Sequence, residues 1–217
     1  PPVDLVLRVR FNPTLSKTWF GAVMEIINNV TMLSIVLTGA ALLREREHGT
    51  IEHLLVMPIT PFEIMTSKIC AMGLVVLVVS TFSLIGVVHQ LLAIPIEGSI
   101  SLFVLGSAMN LFATTSMGIF MGTIARSMPQ FGLLLILVIL PLEMLSGGMT
   151  PRENMPQLVQ TIMLAAPITH FVILAQSVLF RGAGLDIIWP QLAALAFIGS
   201  IFFYITLLYF RKAISLL

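Results

Sequence analysis

Charge is scarce in this sequence. Lys, Arg, Asp and Glu make up 10% of the 217 residues, where a soluble domain carries roughly 25%. Hydrophobic residues reach 58% and the mean hydropathy is +1.04. A soluble core of this size would leave large apolar patches in water, so the class is an integral membrane protein with several spans. Cysteine occurs once, at Cys70. That excludes an internal disulfide and a Cys-based zinc site, and the residue is expected to act as a small packed hydrophobe. Net charge is only +1 and no Lys/Arg cluster of the kind needed for DNA is present, so nucleic acid is not an expected partner. No Gly-x-x-x-x-Gly-Lys-[Ser/Thr] occurs, which excludes ATP hydrolysis by the P-loop route. Ser146-Gly147-Gly148 lacks a Gly-x-Ser-x-Gly context. His48 and His53 are five apart rather than four, and His89 and His170 have no second ligand at helical spacing. No metal or other cofactor is expected in this chain.

Long apolar runs are abundant instead. A spanning helix needs about 20 apolar residues, and five runs qualify: 20–43, 69–94, 100–125, 131–149 and 187–210. The fold class is therefore an all-α membrane protein, a polytopic helical bundle with five spans. The apolar run 172–180 is too short to span. With 155–167 it reads as a helical hairpin that dips into the membrane or lies on it, where protein or water covers its backbone. The chain starts Pro1-Pro2, without an initiator Met and without a signal peptide ahead of the first span. It is expected to be a piece of a longer protein. Residues 1–19 then look like the end of an upstream soluble domain, with a weak strand alternation over 3–9.

The segment 44–68 holds seven of the 21 charged residues and lies between two spans. It must face water. Ile51, Leu54 and Leu55 give it an amphipathic pattern with Pro58 as a stop, which suggests a short helix at the membrane surface. Two helix starts carry cap signals. Thr60-Pro61-Phe62-Glu63 is a capping box with proline at the first helical position, and Thr150-Pro151-Arg152-Glu153 repeats it. The second follows Gly147-Gly148, where the chain turns sharply. Pro156 disturbs that helix early and leaves its true start open. Charge does not orient the bundle. With 44–68 inside, six Lys/Arg are cytoplasmic and five are not, too even a division for the positive-inside rule.

Glu25 and Glu143 are the carboxylates within apolar runs. A charge at bilayer depth is costly and points to function by default. Both lie near the end of their span, however, where a headgroup-level residue or a helix contact is the better explanation. Asn28 and Asn29, one turn deeper than Glu25, either line a path or bond a neighbouring helix. Asn110, with Thr114 and Thr115, has the same two readings. Gly118-x-x-x-Gly122 permits close helix approach, within the chain or between copies.

The run Arg44-Glu45-Arg46-Glu47-x-Gly49-Thr50-x-Glu52-x-Leu54-Leu55-x-x-Pro58-x-Thr60-x-x-Glu63-x-x-x-x-Lys68 resembles the signature of ABC-2 type transporter permeases. So does Leu145-Ser146-Gly147-Gly148-x-x-Pro151-x-Glu153-x-x-Pro156, followed by Pro167-x-Thr169-His170 and by Phe210-Arg211-Lys212 at the close. The likeness covers nearly the whole chain. It implies a bacterial inner-membrane permease of six spans, the membrane subunit of an ATP-driven exporter. Its first span and a sizeable extracytoplasmic domain would precede this chain, with 1–19 as the end of that domain and 20–217 as the transmembrane part. The resemblance makes 47–57 a cytoplasmic coupling helix that contacts an ATP-binding subunit, through Glu47, Gly49, Thr50, Glu52, Leu54, Leu55 and Pro58. It makes 150–180 a re-entrant extracytoplasmic hairpin, shaped by Gly147, Gly148, Pro151, Pro156 and Pro167. It places the N-terminal end outside and the C-terminus in the cytoplasm. It implies a second permease copy or homologue as dimer partner. Glu25, Asn28, Asn29, Asn110 and Glu143 are the candidates for a translocation path. An ion-coupled secondary carrier is the competing class. It would need ionisable groups near mid-bilayer and an internal repeat. Glu25 and Glu143 are peripheral for that role, and no repeat is evident.

Overall fold

The computed structural model describes residues 17–49, 59–94, 96–148 and 152–214, with backbone only for 17–19, 153, 213 and 214. The strand-like alternation over 3–9 and the segment 50–58 lie outside the described residues. Every element among the described residues is helical. Helix α1 is Lys17–Glu47. Helix α2 is Pro61–Ser83 and runs on into a π-helical stretch, Leu84–Leu91. Then come α3 (Ile100–Ile124), α4 (Met128–Leu145), a 3₁₀ turn at Arg152–Asn154, α5 (Gln157–Met163), α6 (Pro167–Arg181) and α7 (Leu185–Ile214).

Five of the described helices are long and apolar enough to cross a membrane: Phe20–Glu47, Pro61–Leu91, Ile100–Ile124, Met128–Leu145 and Leu185–Lys212. The five spans expected from the sequence fall on them, with shifted ends. Helix α2 begins at Pro61, well ahead of position 69. Thr60 is its cap: the Glu63 amide donates to the Thr60 hydroxyl at 3.3 Å, and the Thr60 amide donates to the Glu63 carboxylate at 2.7 Å. Helix α4 starts at Met128 because the Ser127 hydroxyl accepts from the Gln130 amide at 3.4 Å and Pro129 suits the first turn. Thr150 and Pro151, the expected cap and first position of the next helix, lie outside the described residues. Residues 152–154 make a single 3₁₀ turn, and α5 begins only after Pro156, whose ring and missing N–H do not permit a helix to run through it. Cys70, expected to be packed, is exposed on α2.

Helix α3 is the centre of the bundle, packed most extensively against α1 and α7. Its glycines explain how α1 comes so close. A Cβ at Gly118 would meet the Ile35 carbonyl at 2.6 Å, and one at Gly122 would meet the Gly39 carbonyl at 2.7 Å. The Gly118/Gly122 pair therefore serves packing within the chain, where backbones touch and Cα–H groups face carbonyls. Helix α4 is peripheral, and Leu133, Ile136, Leu137, Leu140 and Met144 form an exposed apolar stripe along it.

The two ends of the bundle are chemically different. At one end Phe20 stacks on Phe180 with ring centroids 6.0 Å apart, and the Glu97 amide donates to the Leu179 carbonyl at 3.1 Å. That end gathers the start of α1, the α2–α3 connection and the end of α6. At the other end the charged residues closing α1 meet α2, α3 and α4, as described below. Helices α5 and α6 are bent by 91° at their break. Ser146 to Gly148, before the pair, and Arg181, its last residue, line one cavity with Phe20. The pair thus enters and leaves at the same end, as a re-entrant hairpin must. Phe171, Leu174, Ala175 and Val178 of α6 are fully buried in the main core cluster, so protein covers its backbone.

Candidate functional site

The segment singled out for coupling begins at the end of α1. There the structure shows a junction. The Glu45 carboxylate pairs with Lys68 of α2. The Arg46 guanidinium reaches the end of α3, where its Nη1 donates to the carbonyls of Thr123 at 2.9 Å, Ala125 at 3.2 Å and Gly122 at 3.4 Å. These are the carbonyls a helix leaves unpaired at its C-terminus, and a cation there also meets the negative end of the helix dipole. The Glu47 carboxylate accepts from the Met128 amide, the first N–H of α4, at 3.2 Å. Three consecutive side chains thus hold three helices. Of the residues expected to form the coupling helix, Glu47 sits in this junction. Gly49 adopts a positive φ of 69° just beyond it, a conformation that glycine takes without penalty. Thr50, Glu52, Leu54, Leu55 and Pro58 lie outside the described residues.

The candidate path residues divide into two groups. Glu25 is exposed, and its carboxylate accepts from the Asn29 side-chain amide at 2.9 Å. Glu143 Oε1 and Asn28 Oδ1 are buried with no hydrogen-bond partner among the described residues. Glu25 and Asn29 also line a cavity of about 370 Å³ between α1 and α2, whose other polar lining is Ser80 and Ser83 and whose walls include Val76, Val79 and Val87. Asn110 stands apart. It is fully buried between α1 and α3, where its amide donates to the Thr31 hydroxyl at 3.2 Å. One turn on, Ser34 donates to Thr114 at 2.6 Å. Here two helices are stitched by polar side chains in a region where hydrocarbon offers no alternative partner.

The hairpin residues shape the opposite end. Gly147 has a φ of 96°, and a Cβ on it would meet the Arg152 side chain at 2.9 Å. Gly148 is buried against the Met24 side chain. Pro156 caps α5 and Pro167 opens α6, while Pro151 lies outside the described residues. His170 fixes the bend. Its Nε2 donates to the Leu164 carbonyl at 2.9 Å, and its Nδ1 pairs with the Gln191 side chain of α7 at 2.6 Å. Sequence reasoning noticed Arg46 and His170 without finding their partners. Arg46 bonds residues 76 to 79 positions away, a separation with no periodic signal.

A junction of this kind beneath a bundle of spans, with a covered re-entrant hairpin at the far end, defines a multi-pass helical membrane protein. The ABC-2 type transporter model matches residues 7–180. The chain belongs to the ABC-2 type transporter family. It is similar to the inner membrane transport permease YhhJ of Escherichia coli (strain K12), with 69% identity over 215 residues, 99% of this chain and 58% of that protein. It is also similar to two probable multidrug ABC transporter permeases of the same organism, YbhR and YbhS, at 30% identity. Those matches cover 87% and 84% of this chain and 51% and 48% of the relatives. The chain spans about half the length of the relatives it matches.

Proposed function

We propose that the full-length protein is the membrane subunit of an ATP-driven exporter in a bacterial inner membrane. The observation that carries this reading is the junction of Glu45, Arg46 and Glu47. It stands directly before the amphipathic segment 50–58 and grips α2, α3 and α4. A displacement of that segment by an ATP-binding subunit would reach three helices through short polar contacts instead of being absorbed in a loose loop. Leu54 and Leu55 supply the apolar centre of the contact and the surrounding charges its rim, the usual anatomy of a specific interface. The charged end is then cytoplasmic and holds the C-terminus, and the hairpin end is extracytoplasmic. Family membership and the relatives' names support this reading.

The groove between α1 and α2 and the Glu25–Asn29 pair are its candidate path. The exposed stripe of α4 faces lipid or a second permease copy. The Glu143 carboxylate, whose Oε1 is buried with no hydrogen-bond partner among the described residues, favours one other reading, an ion-coupled carrier. Proteoliposomes holding the full-length permease and its ATP-binding subunit separate the two. Export that needs ATP and persists without a proton gradient supports the exporter. Export driven by a proton gradient alone, without ATP, overturns it.

A further inference from the structure

The hairpin end holds a cavity of about 350 Å³ that the coupling mechanism does not use. Arg152 and Arg181 reach it from two different elements. Gln176 and Ser177 of α6 and the Ser146–Gly148 turn supply the rest of its polar lining. Among the described residues no carboxylate lines it, and neither arginine takes part in an ion pair. Arg152 makes one long bond, from Nη2 to the Gln160 carbonyl at 3.4 Å, and Gln176 spends its amide on the Met24 thioether at 3.4 Å. Strong donors are therefore collected without an acceptor that matches them. Gly147 makes room for one of them, since a side chain there would occupy the place of the Arg152 stem. The cavity lies beside Phe20, at the head of α1, on the end of the bundle where the exposed Trp189 stands in the first turns of α7, and tryptophan is enriched at headgroup level in spanning proteins.

We propose that this cavity binds the phosphate of an anionic amphiphile, with the guanidinium groups of Arg152 and Arg181 on its oxygens. Arginine forks match phosphate oxygens in pairs, and Phe20, Val172 and Ile173 offer an apolar wall to the first carbons below the headgroup. The site does not depend on an ATPase contact at the other end, so its failure would leave the exporter reading standing.

The test uses full-length permease in nanodiscs of phosphatidylcholine doped with phosphatidylglycerol, with retained lipid quantified after mild delipidation. The parent is expected to retain phosphatidylglycerol in preference to phosphatidylcholine. Arg152→Gln and Arg181→Gln are expected to reduce that preference about fivefold each, the effect of one arginine near an anionic headgroup. Arg181→Lys should keep most of it, and equal melting temperatures show that the variants fold. Displacement of the lipid by inorganic phosphate would identify a phosphate site that soluble anions also fill. Resistance to inorganic phosphate would assign the site to lipid. Equal retention of both lipids by the parent, or an unchanged preference when Arg152→Gln and Arg181→Gln are combined, would overturn the proposal.

Discussion

Arg46, in the last turn of α1, caps α3 by donating to the Thr123 carbonyl at 2.9 Å. The bond joins residues 77 positions apart and completes a helix terminus that would otherwise present bare carbonyls at the membrane boundary. Arg46→Ala should destabilise the protein by about 1.5–3 kcal/mol, the usual range for a hydrogen bond from a charged group. Arg46→Lys should recover part of this, because an ammonium lacks the guanidinium fork. Thermal unfolding in detergent, followed by size-exclusion chromatography, measures both. Equal melting of parent and Arg46→Ala would show that the cap contributes nothing.

Glu45→Ala removes the partner of Lys68, and both side chains are partly exposed. The expected loss is about 0–1 kcal/mol, because solvent screens such pairs. The ranking of Arg46→Ala above Glu45→Ala is the checkable outcome of the same melting experiment.

Gly118→Val places two methyl groups against the Ile35 backbone, where even a Cβ would stand 2.6 Å from the carbonyl oxygen. Helices α1 and α3 would have to separate, at a cost of about 1–3 kcal/mol for overpacking. A cysteine pair across the α1–α3 contact should crosslink in the parent and not in the variant. Unchanged crosslinking would show that the close approach does not depend on the glycine.

Much of this fold was legible because spanning helices announce themselves by composition alone. The cap at Thr60 was legible for a different reason: its partners are three residues apart, so the chain states the bond directly. Pro156 shows the limit of that logic: the sequence marked it as a disturbance without placing the helix start, and residues 152–154 make one 3₁₀ turn before α5 begins at Gln157. The junction was not legible. Arg46 read as a charge facing water and Glu47 as part of the coupling helix, and only the fold brings the ends of α3 and α4 to them. The separation of Asn110 from Glu25 and Asn29 was hidden too, since residue type does not say which face of α3 meets α1.

Gly147→Leu should abolish transport while the protein still inserts. A φ of 96° costs a side-chain-bearing residue roughly 1–2 kcal/mol, and the Arg152 side chain occupies the space a leucine needs. Membrane fractionation and a transport assay on the full-length variant check the two halves. Normal export would show that this turn can take another shape.

The central claim is that the segment after the Glu45–Glu47 junction docks an ATP-binding subunit. The most direct measurement titrates purified full-length permease in detergent with that subunit and compares the parent with Leu54→Asp. An unpaired carboxylate buried at an interface costs several kcal/mol, so binding by the variant should fall at least about a hundredfold while its melting temperature stays near the parent's. Equal affinity of parent and variant, or no measurable binding by the parent, would contradict the account.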